Sequence, residues 1–144
     1  RQGRINEAIE ILERTLALFV EREGERFGWT FTNREGLAMA YTAAGRYADA
    51  EAELHALLGL HAELGSPPST SARLRQALGR ALYGAGRRGE AMTEYAAAVE
   101  TLFDAQHPSA RQVAAAIVAR LRERGDADGA AAIEALAGAR GPED

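Results

Sequence analysis

Cysteine is missing from this chain, which excludes disulfides, thiolate metal ligands and a cysteine nucleophile and is compatible with a reducing compartment. Lysine is missing as well. All 17 basic residues are arginine, a bias that, beside so much alanine and glycine, points to GC-rich coding in a high-GC bacterium. Aromatic residues make up only 6% of the chain and β-branched runs are scarce, so the 47% that is hydrophobic suits burial between closely packed helices. No stretch approaches the roughly 18 apolar residues that cross a bilayer, and no basic segment followed by an apolar core opens the sequence. The expectation is a cytoplasmic, membrane-free, all-α protein. At 144 residues it is long enough for one domain that buries about 70% of its unfolded surface.

What the chain does have is a recurring unit. The stretch Gly36 to Leu54, GLAMAYTAAGRYADAEAEL, reads as helix, tight turn, helix. Leu37 and Tyr41 form one apolar stripe, Gly45 suits a left-handed C-cap, and Ala50 and Leu54 begin the next stripe. Ala38 and Ala50 are small where the two helices must touch. Placing the turn glycine at Gly3, Gly45, Gly86 and Gly125 gives spacings of 42, 41 and 39 residues, and alanine follows each five residues later at Ala8, Ala50, Ala91 and Ala130. This is a repeat array.

In chain order, the pattern predicts a helix over 4–23 with Ile5, Ala8, Ile9, Leu12, Leu16 and Phe19 on one face. It reads as the second half of a hairpin whose first half lies upstream, and a chain that starts with Arg1 reads as a fragment. A linker over 24–30 carries Phe27 and Trp29, after which Thr32 and Glu35 have capping-box spacing. Hairpins follow over 31–44 and 47–64, over 71–85 and 88–104, and over 108–124 and 127–138. The serines of Gly65 to Ser71 are expected to cap the helix after them, and Pro108 to sit in a first helical turn. In repeat units the divisions are a half-repeat 1–26, repeats 27–66 and 67–106, a capping repeat 107–140 and a polar tail 141–144. The capping assignment rests on Glu134, which stands where Leu12, Leu54 and Tyr95 put a large apolar group and which cannot be buried unpaired.

Leu37, Ala38, Tyr41, Gly45, Ala50 and Leu54, matched by Leu78, Gly79, Leu82, Gly86, Ala91, Tyr95 and Ala98, resemble the tetratricopeptide repeat signature. The period near 42, longer than the common period of about 34, and the segment Phe103 to Pro108 resemble the kinesin light chain type of repeat, widespread in bacterial multidomain signalling proteins. Arg34 and Arg75 depart from that signature, which often has tryptophan there. The resemblance implies an all-α, right-handed α-α superhelix of about seven antiparallel helices, whose first helices line a concave groove that binds peptides or protein segments without catalysis.

The remaining residues carry no support for an enzyme. His55 and His61 do not share a helix face, and Glu51 with His55 reads as an exposed helix pair, so no metal is expected. The carboxylates lack a paired, apolar setting, and no phosphate-binding glycine loop follows a strand, so no catalytic residue and no cofactor are assigned. Charge is segregated, however. The first helices of the third and fourth units hold Arg73, Arg75, Arg80, Arg111, Arg120, Arg122 and Arg124 against Glu123 alone, whereas second helices lean acidic.

The repeat frame turns Thr32, Glu35, Met39 and Thr42, then Arg73, Gln76, Arg80 and Tyr83, then Gln112, Ala115, Ala119 and Arg122 toward the groove. Those of the resemblance's chaperone-tail clamp positions that should be lysine or asparagine read Glu35, Met39, Ala77, Gln112 and Ala116, so that specialisation is not expected. An acidic or C-terminal peptide is the expected partner of an electropositive groove, with Arg73, Arg80 and Arg122 converging. The alternative is an assembly module that self-associates through the N-terminal helix or packs on another domain. A net charge of −4 argues against nucleic acid.

Overall fold

A computed structural model of the chain describes residues 1–24 and 28–140. These form seven helices and no strand: α1 (Gln2–Glu23), α2 (Gly28–Ala43), α3 (Tyr47–Leu64), α4 (Pro68–Gly84), α5 (Arg88–Asp104), α6 (Ala110–Glu123) and α7 (Ala127–Arg140). Each helix packs chiefly on its neighbours in sequence, which makes the fold an all-α helical-repeat solenoid. Phe27 and the tail 141–144 lie outside the described residues.

The turns explain why the hairpins form. Gly45, Gly86 and Gly125 have φ of 76°, 81° and 76°, a region where any side chain is strained. At each, two backbone bonds close the helix end: Gly45 N–H to Thr42 O and Arg46 N–H to Tyr41 O, with the same pair repeated at Gly86 and at Gly125. The α5 to α6 connection makes the identical pair of bonds without glycine, with Gln106 at φ 51° in its place. Five residues past each turn glycine, Ala50, Ala91 and Ala130 are fully buried, as the pattern predicts.

The core runs as linked clusters between successive hairpins. Leu54 and Leu57 of α3 meet Leu74, Leu78 and Leu82 of α4, and Tyr95 and Val99 of α5 meet Ile117, Val118 and Leu121 of α6. Each such leucine contributes roughly 1.5–3 kcal/mol through burial. Two glycines let tyrosine rings lie against α4. A Cβ at Gly79 would meet the ring of Tyr95, and one at Gly84 the ring of Tyr47.

Several local expectations are corrected. Helix α2 begins at Gly28, so Thr32 lies inside it and its hydroxyl donates to Gly28 O at 3.2 Å. The Thr32–Glu35 capping box therefore does not form, because the threonine bonds back into its own helix. Helix α4 begins at Pro68 and has no side-chain cap, since proline at the first helical position needs none. Ser66 instead bonds His61 Nδ1 at 2.5 Å. Pro108 lies in the turn before α6, and Gly3 lies within α1, where it makes no turn. Among the described side chains of α1 only Ile9 is fully buried, with Ile5, Leu12 and Leu16 half-buried against the α2 side.

Candidate functional site

The first helices of the hairpins, α2, α4 and α6, border three adjoining depressions that all share Arg80. The first, about 160 Å³, brings together Glu35, Met39, Arg73, Gln76 and Arg80. The second, about 200 Å³, adds Thr42 and Arg120. The third, about 90 Å³, is walled by Thr42, Tyr47, Arg80, Tyr83, Tyr95, Arg120 and Arg124. Seven of the residues expected to share a groove thus do so.

Three do not. Thr32 and Gln112 are exposed and line none of these depressions. Arg122 lines a separate hollow with Arg111, Ala115 and Ala119, where its guanidinium donates to Glu134 Oε1 of α7 at 2.5 Å. The expected convergence of Arg122 with Arg73 and Arg80 is therefore overturned. The reason is geometrical: the helix face by which α2 meets α4 borders, on α6, a hollow shared with Glu134, Ala137 and Gly138 of α7.

The groove's charge also differs from a simple count of arginines. Arg73 reaches across from α4 and donates two hydrogen bonds to Glu35 of α2, at 2.7 and 3.1 Å. That fork-to-carboxylate pair neutralises the end of the groove nearest Met39. Arg75 is spent inside its hairpin on Glu94 at 3.0 Å, and Arg34 faces Glu53 at 3.6 Å. Arg87 pairs with Glu51 at 2.6 Å and also with Glu90.

Arg80, Arg120 and Arg124 are different. Among the described residues none of the three has a hydrogen bond or ion pair to a carboxylate, and Arg80 Nε is buried without a partner. Burial, and then the like charge of Arg120, lower the pKa of Arg80. The same arginines favour ionisation of Tyr95, whose hydroxyl burial nevertheless holds above the usual phenol range. Arg124 stacks over the ring of Tyr83, 5.6 Å from its centroid.

The pocket's edge is tied down by Asp126. Its carboxylate accepts from Arg88 at 2.7 and 2.9 Å, from the Gly129 N–H at 2.8 Å and from Tyr83 Oη at 2.9 Å. Arg88 first, then the Gly129 amide, hold it well below the usual carboxylate range. Asp126 thereby fixes both the start of α7 and the Tyr83 ring.

Arg120 and Arg124 were missed as groove residues although the arginine excess of α6 includes them. The repeat frame finds the face that points away from a hairpin partner, whereas these two reach the groove from its flank on long side chains. Their spacing of four residues, one turn along α6, was the available signal.

Elsewhere, His61 and Ser66 are the only pairing of a nucleophile type with a base type described away from a helix turn at His107. His61 Nε2 is buried without a hydrogen-bond partner, so no acid orients the ring. No described cluster of three or more His, Asp or Glu could hold a metal ion, and no described helix is long and apolar enough to cross a membrane. No protein-family model matches the chain, and no curated protein matches it.

Proposed function

We propose that this chain is a non-catalytic protein- or peptide-binding module of the tetratricopeptide type, which takes an acidic or C-terminal peptide segment along the groove of α2, α4 and α6. In this reading it is the regulatory or partner-recruiting part of a larger bacterial signalling protein and works in the cytoplasm. The observation that carries it is Arg80. A partly buried guanidinium with no described carboxylate stands where all three depressions meet, beside Arg120 and Arg124, in a chain whose net charge is −4. An arginine so placed has its charge available to a ligand. Met39, exposed at the other end, offers an adaptable apolar contact.

A screen of degenerate peptide libraries against the parent, Arg80→Glu and Arg120→Glu tests this. Acidic peptides should be enriched by the parent and lost by both variants, with melting curves confirming that the variants fold. Equal enrichment of acidic and basic peptides, or hits indifferent to both substitutions, would remove the reading.

A second reading, self-association through the N-terminal helix, is favoured by three exposed apolar side chains. Ile11 and Leu18 share one face of α1 and are 62% and 58% exposed, and Trp29 is 60% exposed. Sedimentation of the parent and of Ile11→Glu separates the readings, because a monomer at all concentrations excludes this one.

A further inference from the structure

The third depression has features that a groove for acidic peptides in general does not need. It is small, about 90 Å³, and it gathers three guanidiniums, of Arg80, Arg120 and Arg124, none of which is met by a described carboxylate. Tyr47 and Tyr95 line the same pocket, and their hydroxyls have no hydrogen-bond partner among the described residues. The Tyr83 hydroxyl donates to Asp126 at 2.9 Å, which ties the ring to the pocket's edge.

A single carboxylate would leave about two of those three positive charges unbalanced and has only two acceptor oxygens. A phosphate monoester carries about −1.5 to −2 charges and three acceptor oxygens, which matches several guanidinium forks and hydroxyl donors converging from different sides. Resting on the groove reading above, we propose that this pocket receives the phosphoryl group of a phosphoserine or phosphothreonine within the bound peptide.

The shape of the pocket bears on which phosphorylated side chain it suits. With about 90 Å³ between three tyrosines, it fits the short stem of phosphoserine or phosphothreonine better than the ring of phosphotyrosine. A nucleic-acid backbone would also offer phosphate, but it presents phosphates in series along an open strand. Here the arginines without a described carboxylate are gathered around one small pocket, and Arg73, the next cation along the groove, is already paired with Glu35.

The test uses fluorescein-labelled degenerate peptide libraries with a central phosphoserine, serine or glutamate, followed by anisotropy against the folded chain. The phosphoserine library should bind at least about tenfold more tightly than the glutamate library. Arg120→Gln and Arg124→Gln, both at exposed positions, should abolish that preference while Arg14→Gln on α1 leaves it intact. If glutamate binds as well as phosphoserine, the phosphoryl pocket is overturned and the acidic groove survives. If neither library binds, both fall. Two further outcomes also overturn the proposal: inorganic phosphate stabilising the protein when no phosphopeptide binds, and a mixed-sequence single-stranded oligonucleotide competing as well as the phosphoserine library.

Discussion

Replacing Gly79 by alanine adds one methyl group to α4 where it faces α5. That carbon would lie 2.6 Å from Cε1, 2.7 Å from Cδ1 and 3.1 Å from Cζ of Tyr95, whereas non-bonded carbons are comfortable at about 3.5–4.0 Å. The overlap is thus about 1 Å. Tyr95 is packed against Val99, Ile117 and Leu121, so its ring can yield only by giving up those contacts toward the small pocket it lines. Two effects oppose each other: alanine favours a helix over glycine by about 0.8–1.0 kcal/mol, and overpacking a core costs about 1–3 kcal/mol. The internal control is Gly59, which lies in α3, is exposed, and would place a Cβ with nothing within 4 Å. There only the helix preference acts, so Gly59→Ala should stabilise by about 0.5–1 kcal/mol. The helix term cancels between the two variants and leaves a difference of about 1–3 kcal/mol. Urea denaturation followed by circular dichroism measures it, and melting points should differ by roughly 2–4 °C for each kcal/mol. If Gly79→Ala proves as stable as Gly59→Ala, the close approach of α4 to the Tyr95 ring is wrong.

Ala91→Leu places a larger side chain at the fully buried contact with Leu54, Leu78 and Leu82, and should lower stability by about 1–3 kcal/mol in the same denaturation assay. Asp126 has a depressed carboxyl pKa, so the stability it adds is fully present above the unfolded-state value near 4 and is lost as pH falls through the folded value. Asp126→Asn should accordingly be less stable than the parent at pH 7, and the gap should shrink below about pH 4; a gap that is constant with pH contradicts the assignment. In a double-mutant cycle, Arg75→Ala and Glu94→Ile together should destabilise less than the sum of the two singles, with a coupling of about 0.5–1 kcal/mol because Arg75 is partly exposed.

What could be read from the chain beforehand is what depends on one residue and its neighbours in sequence. A left-handed turn favours glycine on steric grounds alone, so Gly45, Gly86 and Gly125 were legible, and so were the buried alanines five residues later. Gln106 was not legible as the fourth such turn, because glutamine at positive φ is tolerated only where tertiary packing imposes it. Helix starts moved for a similar reason: Thr32 and Ser66 can cap, but their hydroxyls had nearer partners in Gly28 O and His61. The groove was half legible. Faces follow from the 3.6-residue period, which correctly gathers Glu35, Met39, Arg73, Gln76 and Arg80. Which arginine meets which carboxylate depends on distances between helices that are far apart in sequence, and no period encodes those.

The pairing of charges, more than their segregation, sets the potential of the groove. The sequence puts arginines on α4 and α6 and acids on the second helices, and the solenoid then brings the two sets into register. Arg34 with Glu53 and Arg75 with Glu94 are the same pair one repeat apart, 41 residues on in each case, and in the last hairpin the equivalent positions are Ala114 and Ile133, both buried in one cluster. One spot in the repeat is thus filled by an ion pair twice and by an apolar contact once, as expected if a partly buried ion pair contributes little more than an apolar pair of matching shape. At the turns the sign is inverted. Arg46 and Arg87 follow their glycines and reach acids on the preceding second helix, Glu13 and Glu51, whereas Asp126 follows Gly125 and accepts from Arg88 on its preceding second helix. Each exchange keeps a contact and cancels a charge. Arg80, Arg120 and Arg124 are set apart from those pairs because no described acid has been placed opposite them, and that makes their pocket the place in the groove where a ligand's negative charge is not already supplied by the chain itself.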